Sequence, residues 1–188
     1  MTENHERRRM ILAAAERLLE HYGLSKTTVA DIAREAAIGV GTVYLEFGSK
    51  DDIIGHVASG KHSAILEHLR TIAQSDPPPE QRLREVLAAR VRLFVELSSC
   101  GTHAPELVHC KCDPVQDSWR EYQRAEHEIV ASLLAEGDFA VEDPAATAQT
   151  VLDAYAAFTP PWRGRPDFSL FESRVKRMHD LVLRGITR

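Results

Sequence analysis

The sequence lacks the motifs of several large enzyme classes. It contains no glycine-rich phosphate loop, no nucleophile elbow and no paired-histidine metalloprotease spacing. Its carboxylates fall mostly on the polar faces of predicted helices, where none forms an acid and base pair. We therefore expect a protein that is not an enzyme and that uses no cofactor.

Cysteine is scarce, and long apolar runs are absent. The chain has 3 cysteines, an odd number that favours a reducing compartment over a disulfide framework. The first residues are polar and hold no apolar signal core, and no run approaches the length of a membrane span. We expect a cytoplasmic protein with no membrane partner.

An overall excess of positive charge is absent as well. The formal net charge of the 188 residues is −5. Binding to nucleic acid needs positive charge only where the phosphates lie, and the chain has such a cluster. Arg7, Arg8 and Arg9 precede residues 25–50, and Lys50 closes that segment. The net charge therefore does not exclude a DNA partner.

Residues 25–50 hold the most specific local pattern of the chain. Thr27 or Thr28 can cap a first helix, whose apolar residues recur at helical spacing. A tight connection at 37–39 leads to a second helix over 40–47. The pattern predicts a helix-turn-helix, in which the second helix enters the major groove of DNA.

The second helix and the residues after it read GVGTVYLEFGSKDDI, a run that resembles the TetR family of bacterial transcriptional regulators. The detailed resemblance covers about residues 8–58. It implies a homodimer that binds a double-stranded DNA operator and is released by a small-molecule effector bound in its helical body. The residues that carry the resemblance are Thr28, Ile32, Ala33, Gly41, Thr42, Tyr44, Phe47 and Lys50.

Three residues depart from the family pattern. Ala37 stands where the family usually has a turn glycine, and a left-handed backbone there would cost about 1 kcal/mol or more. Gly39 stands where a serine often caps the reading helix, so that cap is missing. Glu46 stands where the family usually has His or Tyr, and it would bring an acid near the DNA phosphates that weakens or redirects contact there.

The resemblance and the chemistry of phosphate together assign the DNA contacts. Thr28 at a helix N-terminus can bind a phosphate, and Thr42 and Leu45 can meet base edges. Tyr44 is expected both to contact a phosphate and to pack its ring in the core. The full predicted set is Arg8, Thr28, Gly41, Thr42, Tyr44, Leu45 and Lys50.

No stretch alternates in the manner of a strand, and helical periodicity fills the rest of the chain. We predict an all-α fold, with an N-terminal three-helix head (residues 1–50) that holds the helix-turn-helix. A C-terminal helical bundle body (residues 51–188) would bind the effector and form the dimer. The predicted helices outside the motif span residues 7–23, 50–73, 80–99, 104–111, 113–136, 143–158 and 167–184.

Aromatic residues of the body are the candidates for effector binding, although plain core packing is the simpler explanation of each. They are Phe94, Trp119, Tyr122, Tyr155 and Phe158. Arg90 falls among apolar residues of its helix, so we expect its side chain to be partly buried and its guanidinium to reach the surface rather than to bind an anion.

All three cysteines lie close together, near two histidines. This density of soft ligands suits zinc or Cu(I), although the spacing matches no standard zinc module. Asp113-Pro114 favours a turn on which neighbouring thiols converge. Two roles for this cluster remain open: it senses metal or oxidants through its thiols, or its residues simply pack in the fold. The residues are Cys100, His103, His109, Cys110 and Cys112.

Three functions follow from these patterns. The first is a DNA-binding repressor that a small molecule releases from a palindromic operator. The second is a metal- or redox-responsive repressor that senses through residues 100–112. The third is a helical ligand-binding or scaffold protein that no longer binds DNA. Operator binding separates the third from the others.

Overall fold

The computed structural model describes residues 2–99, 103, 110–159 and 171–187. These residues form eight α-helices, and the all-α prediction is confirmed. The only pairing of extended backbone in the described ranges is an isolated bridge between Phe139 and Thr187. The helices are α1 Thr2–Tyr22, α2 Val29–Glu35, α3 Val40–Glu46, α4 Lys50–Ala73, α5 Pro79–Ser99, α6 Asp113–Glu136, α7 Pro144–Ala154 and α8 Phe171–Ile186.

The described chain forms two compact units. The first comprises the described residues within Met1–His62 and Leu97–Arg120, and the second those within Ser63–Glu96 and Glu121–Arg188. Helices α4, α5 and α6 each contribute residues to both units. The predicted boundary at residue 50 divides a DNA-binding head from an effector-binding body, whereas the two units are defined by their compactness. The predicted boundary therefore stays a prediction.

The core of the first unit is built by α1, α2, α3 and the start of α4. Ile11, Ala14 and Leu19 form the fully buried stripe of α1. The helix ends because Gly23 has φ of 83°, a left-handed conformation that only glycine adopts without strain. The predicted stripe and cap are therefore correct. The helix begins five residues before the predicted start, in a polar segment where Arg7 pairs with Glu3 one turn away.

The other helix bounds follow their local stop signals closely. Helix α4 has the predicted bounds, and so does α6, which begins at Asp113 beside Pro114. Helix α7 is shorter than predicted, because its last turn tightens into a 3₁₀ helix over Ala156–Phe158. The predicted helix over 104–111 and the first turn of the predicted last helix lie largely outside the described residues.

The second unit buries apolar faces of α5, α6, α7 and α8. Leu83, Val86 and Leu87 of α5 are fully buried, and Val130 of α6 and Ala148 of α7 are as well. Within the described ranges, no helix is long and apolar enough to cross a membrane.

Candidate nucleic-acid interface and buried polar cluster

A complete capping box starts α2. The Thr28 hydroxyl accepts a hydrogen bond from the Asp31 amide at 3.2 Å, and the Asp31 carboxylate accepts one from the Thr28 amide at 3.1 Å. The Thr28 hydroxyl also donates to that carboxylate at 2.7 Å, and it is the main cause that lowers the pKa of Asp31. Thr28 is exposed, so its position at the helix N-terminus is open to a phosphate.

The turn between α2 and α3 carries the strain that the sequence predicts. Ala37 has φ of 55°, in the left-handed region that disfavours a side chain. The Ile38 amide donates to the Ala33 carbonyl at 2.9 Å, which holds this turn closed. Gly39 then begins α3 in extended backbone, with no side-chain cap. Both departures from the family pattern therefore have the predicted structural consequences.

Helix α3 has one buried face and one exposed face. Val43 is fully buried and Phe47, just after the helix, is 2% exposed. By contrast, Leu45 is 85% exposed and Tyr44 is 54% exposed. A Cβ added at Gly41 would meet no atom within 4 Å, so the backbone there is open to close approach. The ring of Tyr44 lies at the surface, and the expected core role of this residue is wrong.

The Glu46 side chain folds back onto α1. Its carboxylate accepts a hydrogen bond from the Arg7 guanidinium at 3.1 Å, and the side chain is only 6% exposed. The expected acid beside the DNA phosphates is therefore wrong, because Arg7 neutralises the carboxylate and removes it from the exposed face. Sequence reasoning missed this pair because its members are 39 residues apart.

Arg8 and Lys50, both predicted to contact DNA, also make bonds that hold the first unit together. Arg8 donates to the Glu46 carbonyl, and its guanidinium lies 4.1 Å from the centre of the Phe47 ring. The Lys50 ammonium donates to the Leu24 carbonyl at 2.9 Å and to the Thr27 carbonyl at 3.2 Å. Lys50 therefore ties the start of α4 to the loop before α2.

Cys110 and Cys112 converge on the turn before α6. Their sulfur atoms are 2.8 Å apart, and both side chains pack against the core of the first unit. The Cys112 carbonyl accepts from the Val115 amide at 3.1 Å and so starts the helix. Burial, with the neighbouring Cys110 sulfur, raises the pKa of the Cys112 thiol to about 12. The convergence that the Asp113-Pro114 turn predicts is thus present.

Two other members of the predicted metal cluster, Cys100 and His109, lie outside the described residues. The fifth member, His103, donates from its amide to the Glu20 carbonyl at 3.3 Å. In the part of the chain that the structure describes, no three His, Cys, Asp or Glu side chains are arranged to hold a metal ion.

Four of the five aromatic candidates for effector binding are buried in the second unit. The Phe94 and Tyr122 rings meet edge to face with centroids 5.4 Å apart, and those of Tyr155 and Phe158 lie 6.1 Å apart. Trp119 belongs to the first unit, where its half-buried ring lies 5.4 Å from that of His62. The structure therefore pairs Phe94 with Tyr122 and Tyr155 with Phe158, and it assigns Trp119 to the other compact unit.

Arg90 is buried beside these rings, at 4% exposure. Its Nε and Nη2 donate to the two Glu126 carboxylate oxygens at 2.6 and 2.8 Å, and the Tyr122 hydroxyl donates to the same carboxylate at 2.5 Å. The expectation that Arg90 reaches the surface is wrong, because a buried carboxylate on α6 holds its guanidinium inside. The Arg90 Nη1 atom is buried, and no described residue partners it.

Tyr155 and His179 form a second buried polar pair in the same unit. The Tyr155 hydroxyl is hydrogen-bonded to Nδ1 of His179, which is 7% exposed. Burial lowers the pKa of His179, so its ring is neutral at pH 7. Burial raises the pKa of Tyr155, against the opposing effect of the Arg90 and Arg84 charges. The His179 Nε2 atom has no partner among the described residues.

Comparisons with known proteins agree with this architecture. The TtgR transcriptional regulator of Pseudomonas putida, a helix-turn-helix protein, is 29% identical over 119 residues, which make up 61% of this chain and 55% of TtgR. The chain therefore spans about half the length of this curated relative. A TetR-family regulator from Mesorhizobium loti MAFF303099 has the same fold, with a TM-score of 0.73 at 16% identity over the whole of both chains.

A further structure with the same fold is that of RolR in complex with resorcinol. It matches with a TM-score of 0.66 at 16% identity, over 99% of this chain and 90% of RolR. The family model described as bacterial regulatory proteins, tetR family, matches residues 11–57. This segment contains the capped α2, the strained turn and the exposed face of α3. Residues 11–57 thus match the TetR family of bacterial regulatory proteins, and the chain has the fold of TetR-family regulators.

Proposed function

We propose that this protein is a homodimeric DNA-binding repressor, released from a palindromic operator by a small molecule. The observation that carries the proposal is the exposed face of α3, where Leu45 is 85% exposed on a seven-residue helix. A large apolar side chain presented to solvent in this way suits contact with a thymine methyl group in the major groove. The family supplies the class of regulator, and its members are generally not enzymes.

The proposed DNA contacts form two groups: contacts to phosphates position the protein on the duplex, and contacts to base edges recognise the sequence. Thr28 at the N-terminus of α2 and Lys50 at the start of α4 would hold phosphates, which fix the register of the protein on the duplex. Thr42 and Leu45 would meet base edges, and Gly41 would let the backbone of α3 come close. Tyr44, with its exposed hydroxyl, would bind a phosphate. A protein with this role works in the cytoplasm, where the chromosome is.

We place the dimer contact on α7 and α8. Leu181 on α8 is 70% exposed, which is unusual for a large apolar residue and favours a covered face in the dimer. The exposed Ala145 and Ala146 on α7 would permit close approach of a second helix. A symmetric dimer matches an operator whose half-sites lie one helical turn, about 34 Å, or a multiple of it apart.

The proposal predicts that the purified protein retards a DNA fragment from upstream of its own gene and prefers the intact palindrome to a single half-site. Thr42→Ala should change the preferred sequence, at a cost of about 1–3 kcal/mol for a lost base contact. Lys50→Ala should weaken binding to every sequence and reduce the salt slope by about 1. Gel retardation from low to moderate salt measures both effects.

Two matched substitutions control this experiment. Thr71→Ala removes an exposed threonine hydroxyl from α4 and should leave the sequence preference unchanged. Lys111→Ala removes an exposed lysine outside the helix-turn-helix. Because Lys50 also bonds two carbonyls, the Tm of Lys50→Ala is needed to separate lost stability from a lost phosphate contact. If no upstream fragment is retarded at low salt, the scaffold or ligand-binding alternative replaces the repressor.

The effector would bind in the second unit, among Phe94, Tyr122, Tyr155 and Phe158. Their rings are buried and meet edge to face, and polar groups lie beside them. RolR, which has this fold, has been solved with resorcinol bound, a small aromatic molecule. Trp119 is the weaker candidate, because it belongs to the other compact unit.

A repressor that responds to metal or oxidant is the second candidate function. It depends on the closeness of Cys110 and Cys112, whereas the raised pKa of the Cys112 thiol disfavours the thiolate that either response needs. The sulfur atoms of Cys110 and Cys112, 2.8 Å apart, are close enough to bind one zinc or Cu(I) ion or to form a disulfide as peroxide is reduced to water. This function predicts bound metal in protein purified without a metal-binding tag, or operator release by peroxide. A variant with serine at Cys100, Cys110 and Cys112 that responds normally to every inducer would leave the thiols as packing alone.

A further inference from the structure

Helix α3 has few features of its own that hold it in place. It is seven residues long, and isolated helices of that length are marginal in water. Gly39 gives its N-terminus no side-chain cap, and within the helix only Val43 is buried. The position of this helix therefore depends on contacts from the rest of the first unit.

Contacts at the C-terminal end of α3 come from one face of α1. Asn4 precedes Arg7 by three residues and Arg8 by four, which places the three side chains on the same side of the helix. The fully buried Ile11 follows Arg8 by three residues, so this polar face continues the apolar stripe toward the N-terminus. The first turns of α1 thus contact α3 through polar groups.

The Glu46 carboxylate is held at this face by two side chains. Arg7 donates to it from Nη1 at 3.1 Å, and the Asn4 side-chain amide, with its nitrogen turned toward Glu46, donates to both of its oxygens. Only 6% of the Glu46 side chain is exposed, although the preceding Leu45 is 85% exposed. The acid therefore lies against α1, while its neighbour in the chain extends into solvent.

Arg8 is engaged by other groups at the same end of α3. Its Nη1 donates to the Glu46 carbonyl, and its Nη2 lies 3.1 Å from Nε2 of His56. Its guanidinium also lies over the Phe47 ring, 4.1 Å from the centre. Loss of Arg7 would therefore leave the Glu46 carboxylate with the uncharged Asn4 as its partner.

A freed Glu46 carboxylate would lie beside the surface that α3 presents to DNA. It directly follows Leu45, and charges interact over about 10 Å in 0.1 M salt, which exceeds the spacing of adjacent residues on a helix. DNA phosphates carry negative charge along both edges of the groove that a reading helix enters. The repulsion would weaken binding to every sequence, because it does not depend on the bases.

We propose that Arg7 is a positioning residue for DNA binding: it holds the Glu46 carboxylate on α1, so that α3 meets DNA without an acid. This inference rests on the proposed function, since it concerns the same exposed face of α3. Arg7 then acts on DNA through Glu46 and contacts no phosphate itself. The positive cluster ahead of the helix-turn-helix thus includes a residue whose task is to neutralise the reading helix.

A double-mutant cycle on the full chain tests this role by gel retardation. Arg7→Met should weaken binding of the operator fragment about tenfold at low salt, and the loss should shrink as salt screens the freed carboxylate. Glu46→Gln alone should stay within about threefold of the wild type, since a glutamine oxygen still accepts from Arg7. The double variant should return to within about threefold as well, because no acid is left to repel the phosphates.

The cycle separates this role from two others. If Arg7 bound a phosphate, the double variant would stay as weak as Arg7→Met, and the salt slope would fall by about 1. If Arg7 only stabilised the first unit, Arg7→Met would bind like the wild type when both are compared well below their Tm. Either result overturns the inference.

Arg17→Met is the matched control. Arg17 also lies on α1, and its Nε and Nη2 donate to Glu35 of α2 at 3.1 and 3.0 Å. The control removes the same charge and another exposed ion pair of the first unit, so binding should stay within about threefold of the wild type. An equal loss in Arg17→Met would mean that net charge decides, and it would overturn the inference.

Failure of this inference differs from failure of the proposed function. A wild type that retards no duplex at low salt ends both. A wild type that binds the operator fragment, while the double variant stays as weak as Arg7→Met, ends only the role of Arg7.

Discussion

Arg90→Ala should lower the free energy of unfolding by about 3–5 kcal/mol, because it leaves a buried carboxylate without its main partner. The Glu126 side chain is only 3% exposed, and two of the three hydrogen bonds it accepts come from Arg90. The remaining Tyr122 hydroxyl cannot supply a positive charge. Urea unfolding of the full chain, followed by circular dichroism, measures the loss.

The double variant Arg90→Met with Glu126→Leu is the matched control. It replaces both charges by apolar side chains of similar volume, so its main cost is the Tyr122 hydroxyl, which loses its Glu126 acceptor, and it should be more stable than Arg90→Ala. A loss in the double variant as large as in Arg90→Ala would mean that the pair itself, rather than the orphaned carboxylate, carries the stability. Equal stability of Arg90→Ala and the wild type would contradict the burial of the pair.

The burial of Arg90 also marks the limit of what the sequence can predict. Helical periodicity around Arg90 correctly places α5, because periodicity is a local property of the chain. Its partner Glu126 is 36 residues away, on a different helix. A sequence taken alone does not pair two such distant residues. The usual behaviour of a long cation, which is to reach the surface, is therefore the reasonable and wrong expectation.

In the first unit too, predictions that depend on nearby residues are correct and predictions that depend on distant residues are not. The Thr28 cap, the strained Ala37 and the uncapped Gly39 all depend on neighbours within a few residues, and the sequence predicts each of them. Glu46 depends on Arg7 at 39 residues, and Lys50 on carbonyls more than twenty residues earlier. These tertiary contacts decide which side chains remain available to DNA, and they require the structure.

Replacing each of the two glycines of α4 by alanine should change the stability of the protein in opposite directions. Helix propensity alone predicts that each loosens the helix by about 1 kcal/mol relative to alanine. A Cβ at Gly60 would meet nothing within 4 Å, whereas a Cβ at Gly55 would lie 2.3 Å from Cβ of Pro114. Gly60→Ala should therefore raise the free energy of unfolding by about 0.5–1 kcal/mol. Gly55→Ala should lower it by about 1–3 kcal/mol, because the clash forces the packed backbone of α6 to shift.

The two substitutions are chemically identical and lie in one helix, so their difference isolates the contact with Pro114. Helix propensity changes equally in both, and urea unfolding of the two variants side by side removes it from the comparison. Pro114 follows the turn of Cys110 and Cys112, so Gly55→Ala should also expose these thiols and speed their alkylation by iodoacetamide, while Gly60→Ala should not. Equal stabilisation by both alanines, with unchanged alkylation, would show that α4 does not pack against Pro114 and that the thiols are held by their own turn.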